Sequence, residues 1–158
     1  MITADGAVSV LCADLRDPGS ILGSEVVRQL IDPRRPTGIM MTAVLMFVSD
    51  TSDPWGLVSR YVRAVAPGSY LSLTHLTGDS KPPAAVEALR AVFDNATERM
   101  HFRSRRQVER FFTGLELVPP YDGAPAEVSF AGVWGAEDPD LADSEGSRWM
   151  YGGVAKIQ

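Results

Sequence analysis

The 158-residue sequence has a single cysteine, Cys12, and only two histidines, His75 and His101. It also has no basic excess: 15 lysines and arginines stand against 20 aspartates and glutamates, a formal net charge of -5. One cysteine excludes an internal disulfide framework and a cysteine-ligated metal cluster. Cys12 lies in an apolar run and is expected to be a small buried hydrophobe. Two histidines without a third ligand at suitable spacing define no metal site. The acidic balance excludes a general nucleic-acid footprint, which needs a basic face. The longest uncharged run, residues 38–49, is too short to cross a bilayer as a helix, and no basic start followed by an apolar core opens the chain. A cytoplasmic protein without membrane contact is the expectation. No G-x-G-x-x-G, G-x-x-x-x-G-K-[ST] or G-x-S-x-G occurs, which weighs against a complete dinucleotide-binding unit, a P-loop NTPase and an α/β-hydrolase.

Three apolar runs, at residues 8–13, 38–49 and 69–77, are rich in strand formers and bounded by turn residues. Continuous apolar runs of this kind are strands buried on both faces, with helices above and below. The stretches between them read as helices. Ile21, Leu22, Val26, Val27 and Leu30 recur at helical spacing behind Ser20. Trp55, Val58, Tyr61, Val62 and Val65 do so behind the cap Asp53 and Pro54. Val86, Leu89, Val92 and Phe93 mark a third helix ending near Met100, and Ser104 with Gln107 forms a capping box for a fourth. Residues 115–118 and 149–155 read as an antiparallel pair separated by a loop at 119–143. Residues 1–7 read as a polar connector. One α/β domain over residues 1–158 follows, with crossover helices making the first three strands parallel.

Ligands of such sheets sit at the C-terminal strand ends, so the residues there carry the candidate chemistry. Asp14, after the first strand, either initiates a helix or accepts a hydrogen bond from a ribose hydroxyl or an adenine amine. Met46 and Phe47, at the end of the central strand, either pack into the core or line an apolar pocket. His75 is a structural histidine or a general base. His101, Arg103, Arg105 and Arg106 form a solvated surface cluster or a site for an anionic substrate group. Gly152 and Gly153 stand on a late strand with no helix after them.

Several segments together resemble a bacterial family of S-adenosylmethionine-dependent methyltransferases of the class I, Rossmann-like type. They are Val10-Leu-Cys-Ala-Asp-Leu-Arg-Asp-Pro18, Ala43-Val-Leu-Met-Phe-Val-Ser-Asp50, Ala66-Pro-Gly-Ser-Tyr-Leu-Ser-Leu-Thr-His75, Phe102-Arg-Ser-Arg105, Phe112-Thr-Gly-Leu-Glu-Leu-Val118 and Tyr151-Gly-Gly-Val154. The resemblance implies S-adenosylmethionine as cofactor and a small-molecule acceptor. It makes residues 8–13, 38–45 and 69–77 the third, fourth and fifth strands, and residues 115–118 and 149–155 the sixth and seventh. Asp14 and Leu15 then match the adenine position, Ala43 and Val44 the segment beside the methionine and sulfonium, and Met46 and Phe47 the acceptor side. His75 is the one nearby base.

Two departures from the pattern have consequences. Family members usually carry His at the position of Met46. They also carry first and second strands and a Gly-rich turn ahead of the third strand, which this sequence does not show. The fold implied is an incomplete class I methyltransferase sandwich, mostly parallel, with a C-terminal antiparallel hairpin. In the strand order 3-2-1-4-5-7-6, the fourth strand then has an unpaired edge. That edge is expected to be met by the run at 8–13 moving in, or by a second copy in a homodimer. A truncated, non-catalytic interaction module is the alternative function.

Overall fold

The computed structural model describes residues 8–158, so the polar connector expected at residues 1–7 lies outside the described residues. Among these described residues, five strands form one open mixed sheet. They are β1 (Gly38–Thr42), β2 (Tyr70–Leu76), β3 (Glu116–Leu117), β4 (Ser129–Phe130) and β5 (Met150–Lys156). Six short helices accompany them: α1 (Pro18–Leu22), α2 (Glu25–Leu30), α3 (Pro54–Val62), α4 (Pro83–Val92), α5 (Arg105–Glu109) and α6 (Pro139–Ala142). The sheet order is β1-β2-β5-β3, with β4 pairing on β5. This is the expected succession of fourth, fifth, seventh and sixth strands. β1 and β2 are parallel, with Gly38 opposite Tyr70 and Thr42 opposite Thr74. β5 runs antiparallel to β2 and to β3. The α/β class and the C-terminal antiparallel pair therefore hold, and β1 with β2 makes up the parallel part.

The expected first strand is not one. Residues 8–13 take no strand conformation and are exposed, Val10 at 91%. A strand is stabilised by backbone pairing as much as by its own propensity, and no described strand pairs with this run. Cys12 is exposed with it, not buried. The run has not moved in beside β1, and the outer edge of β1 has no partner among the described residues.

Smaller departures have local causes. The helix expected behind Ser20 is two helices. Asp17 caps α1, accepting from the Ser20 N–H at 3.1 Å, and Ser24 caps α2, with Gly23 between them. α4 stops at Val92, short of Met100. The loop at 119–143 contains β4 and α6. The caps at Asp53 and Ser104 stand as expected, the second as a full capping box with Gln107.

The alternation of side chains on β2 and β5 assigns the two faces. Leu71 and Leu73 point with Ala155 and Tyr151 into the main core, which Leu57, Val58 and Tyr61 of α3 and Val108 of α5 complete. Full burial of each such aliphatic side chain stabilises the fold by about 1.5–3 kcal/mol. On the opposite face Leu76, Met46 and Met100 form a smaller cluster under Leu89 and Phe93. The glycine pair of β5 has a packing role: a Cβ on Gly153 would lie 2.6 Å from Cζ of Phe112, and one on Gly152 3.2 Å from the Trp134 ring. Gly153→Ala is therefore expected to lower stability by about 1–3 kcal/mol through overpacking, read as a lower urea midpoint. An unchanged midpoint would mean that the Phe112 ring gives way freely.

Candidate functional site

The strand read over residues 38–45 ends at Thr42. Ala43 turns the chain with φ at 53°, and its N–H donates to Thr74 Oγ1 at 3.0 Å. Such a left-handed conformation costs a residue with a Cβ on the order of 1 kcal/mol and persists only where the surroundings hold it. Two 3-10 turns follow, Leu45–Phe47 and Asp50–Ser52. This hydrogen-bonded loop replaces the rest of the strand at the C-terminal end of the parallel pair, where a ligand site belongs.

Arg103 holds that loop. Its side chain is 1% exposed. Nη1 donates to the Leu45 carbonyl at 2.9 Å and to His75 Nε2 at 2.5 Å. Nη2 donates to the Val48 carbonyl at 2.6 Å and to Asp50 Oδ1 at 2.7 Å, and Nε to Asp50 Oδ1 at 3.1 Å. A guanidinium has five N–H donors, and each has an acceptor here. Trp55 and Phe111 lie against its faces at 5.4 and 5.8 Å. Next to it the His101 N–H donates to the Met46 carbonyl at 2.8 Å. Three loop carbonyls, those of Leu45, Met46 and Val48, are bound by this one segment instead of by a neighbouring strand.

His75 is fully buried. Its Nδ1 lies 2.8 Å from the Leu76 carbonyl and its Nε2 faces Arg103, which makes the ring a neutral Nδ1–H tautomer. Burial first, with the Arg103 charge, pushes its pKa down to about 4. Both nitrogens are thus engaged inside the protein, and the ring has no surface to offer an acceptor.

Asp14, Leu15 and Phe47 come together with Arg16, Val48 and Glu98 around a surface cleft of about 130 Å³. Asp14 receives Arg16 through Nε at 3.0 Å and Nη2 at 2.8 Å, and Arg16 reaches on to Glu98 at 2.7 Å. The hydrogen bonds from Arg16 hold the Asp14 carboxyl below its ordinary pKa, so it stays ionised. Leu15 is fixed by its carbonyl, which accepts from the Tyr61 hydroxyl at 2.8 Å. Ala43 and Val44 form the turn leading to this cleft, with Val44 38% exposed. Met46 is turned inward against Leu76 and Met100.

A carboxylate, a leucine and an aromatic ring are of the kind that can hold the adenine end of S-adenosylmethionine, although both Asp14 oxygens already accept from Arg16, four hydrogen bonds in all, and a ligand would share them. The cleft is smaller than the roughly 300 Å³ at which whole small-molecule pockets begin, so these residues fit one end of that cofactor and not all of it. No group of three or more metal-ligating side chains occurs among the described residues. The expected basic cluster is dispersed: Arg103 is buried, Arg105 pairs with Glu109 and Glu127, and Arg106 is exposed. Arg103, Tyr61 and Trp55 were missed as site-building residues. The available signal was His75 itself, a polar group in an apolar strand that requires a buried partner.

The open α/β sheet, parallel at β1–β2 and antiparallel at β5, is similar to methyltransferase folds. The chain belongs to the S-adenosyl methyltransferase family, whose model matches residues 1–158, and the methyl donor that name implies is S-adenosylmethionine. Among solved structures it is similar to a DUF574-family protein from Streptomyces avermitilis MA-4680, with 31% identity over 92% of this chain and 53% of that one and a TM-score of 0.80. It is similar too to a candidate methyltransferase from Thermobifida fusca YX, at 34% identity over 92% and 52% with a TM-score of 0.76. The chain thus spans about half the length of these solved relatives. A search of curated proteins returned no significant match.

Arg103→Met is expected to cost about 3–5 kcal/mol, because it leaves the Leu45 and Val48 carbonyls and His75 without their donor. A urea-unfolding loss below about 1 kcal/mol would contradict the clamp. The neutral His75 ring also sets a pH dependence. The unfolded chain takes up this proton below about pH 6.5, the folded one only near pH 4. Stability linked to His75 is therefore complete above 6.5 and falls, by on the order of 3 kcal/mol, as pH drops through that window. NMR titration of the ring checks this, and a midpoint near 6.5 would show the ring to be solvated.

Proposed function

We propose that the chain works in S-adenosylmethionine-dependent methyl transfer to a small-molecule acceptor in the cytoplasm, and that the Asp14–Phe47 cleft receives the adenine end of the donor. The observation that carries this reading is the meeting of Asp14, Leu15 and Phe47, distant in sequence, in one cleft beyond β1. In it Asp14 accepts a hydrogen bond from the donor, Leu15 supplies an apolar surface, and the backbone at Ala43 and Val44 passes the methionine arm. Bound S-adenosylmethionine supplies an activated methyl group on a sulfonium. The chain's own contribution is placement, since such transfer needs alignment more than acid–base help. His75 acts through Arg103 as a positioning residue. Compatible with this reading, no helix among the described residues is long and apolar enough to cross a membrane.

The alternative, a non-catalytic interaction module, draws support from the small volume of the cleft and from the open edge of β1, where a second copy would pair. Isothermal calorimetry with S-adenosylhomocysteine separates the two. The donor reading expects saturable heat, weakened about tenfold in Asp14→Ala by loss of a charge-assisted hydrogen bond. Absence of heat at millimolar ligand would remove donor binding from this chain. A concentration-dependent sedimentation shift, lost when Met40 is replaced by proline, would establish the edge as a homodimer contact.

A further inference from the structure

A second cleft lies across Phe47 from the first. It measures about 180 Å³ and is lined by Arg90, Phe93, Asp94, Arg99, Met100 and His101. Phe47 lines the first cleft and Phe93 the second, and their rings meet at 6.1 Å, tilted by 51°. Glu98 lines the first cleft and Arg99 the second. The two clefts therefore share a wall of two aromatic rings and one turn of chain.

Charge and shape restrict what the second cleft can take. Two guanidiniums and an imidazole face one carboxylate, Asp94. Arg99 makes no ion pair among the described residues, and Arg90 is held loosely, 3.6 Å from Glu87 and 5.2 Å over the Phe102 ring. His101 is anchored by its backbone to Met46, while its ring nitrogens bond to no other described residue. This contrasts with His75, whose nitrogens are both used. The apolar part of the wall is Phe93 and Met100, a flat ring beside a soft thioether. A volume below the roughly 300 Å³ of pockets for drug-sized ligands leaves room for a single ring.

Resting on the reading that the first cleft holds the methyl donor, we propose that the second is the acceptor site and that the acceptor is a single-ring aromatic acid. Its carboxylate pairs with Arg99 and Arg90, its ring lies against Phe93, and His101 hydrogen-bonds its polar edge. Arginine's planar fork suits a carboxylate, and the Phe93 face suits an aryl body. Burial first, then the charges of Arg103 and Arg90, holds His101 below its ordinary pKa, against the opposing pull of Asp50 and Glu98. A carboxylate bound beside it reverses part of that effect.

Titration with para-hydroxybenzoate, followed by NMR of the His101 ring, tests this. Saturable shifts are expected, with the His101 pKa rising on binding. Arg99→Gln, a change at an exposed side chain that leaves the fold in place, is expected to weaken binding about tenfold, as is para-hydroxybenzamide, which keeps the ring and loses the charge. No shift, or equal binding of the amide, overturns the proposal. Parallel calorimetry with S-adenosylhomocysteine keeps the two readings apart. Heat without a para-hydroxybenzoate shift overturns the acceptor site and leaves the donor cleft. A shift without heat overturns the acceptor role and leaves an acid-binding cleft.

Discussion

The guanidinium of Arg103 is the interaction on which the functional end of the fold depends. A charge 1% exposed is costly unless its donors are all met. Here they are met by two loop carbonyls, one imidazole and one carboxylate. Only Asp50 carries the opposite charge, and it is half exposed. Most of the compensation therefore comes from neutral acceptors and from the Trp55 and Phe111 faces. Such a set is directional. A point charge such as lysine could satisfy Asp50, but it could not also reach the Leu45 and Val48 carbonyls and His75 in one plane.

That directionality resolves a conflict within residues 38–49. Their composition favours a strand, and a longer strand would have paired its backbone with β2. The chain instead spends a left-handed turn at Ala43 and leaves the sheet. The backbone groups so released must find partners, and Arg103 and His101 supply them from a segment more than fifty residues later in the sequence. His75 belongs to the same arrangement. Its neutral ring accepts from Arg103 because burial removes the proton that would otherwise repel the guanidinium. Stacking of His75 on Phe111, at 5.9 Å and 19°, ties both to the main core.

What could be read from the residues alone follows the range of each interaction. Caps at Asp53 and Ser104 are local, and both stand where the spacing puts them. The succession of β1, β2, β5 and β3 came from the family resemblance and holds in the sheet. The resemblance put Asp14 and Leu15 at the adenine position and Phe47 on the acceptor side; that the three line one cleft is seen only in the structure, because no local pattern connects them. Strand propensity failed at residues 8–13, where apolar, β-branched residues lack a neighbour. It failed again beyond Thr42, where a distant arginine competes for the backbone. Arg103 was the least legible residue: in a cluster with Arg105 and Arg106 it has the look of a solvated cation, and only the surrounding Trp55, Phe111 and His75 distinguish it. None of these is near it in sequence.

The clamp and the two clefts are not independent features. Phe47 sits between the Leu45, Met46 and Val48 carbonyls, and all three are bound by residues 101–103. The position of its ring is therefore set by that segment rather than by the sheet. Phe47 walls the first cleft and touches Phe93 in the second, and His101, the same residue that binds the Met46 carbonyl, lines the second. A shift of the 101–103 segment would move both clefts together and alter the distance between them. In the methyl transfer proposed above, whose rate would depend on holding two reactants in line, positional errors near 1 Å would be costly. A fully bonded buried arginine is a rigid means of limiting such errors, and it explains why a charged residue stands where an aliphatic one would fill the core at less desolvation cost.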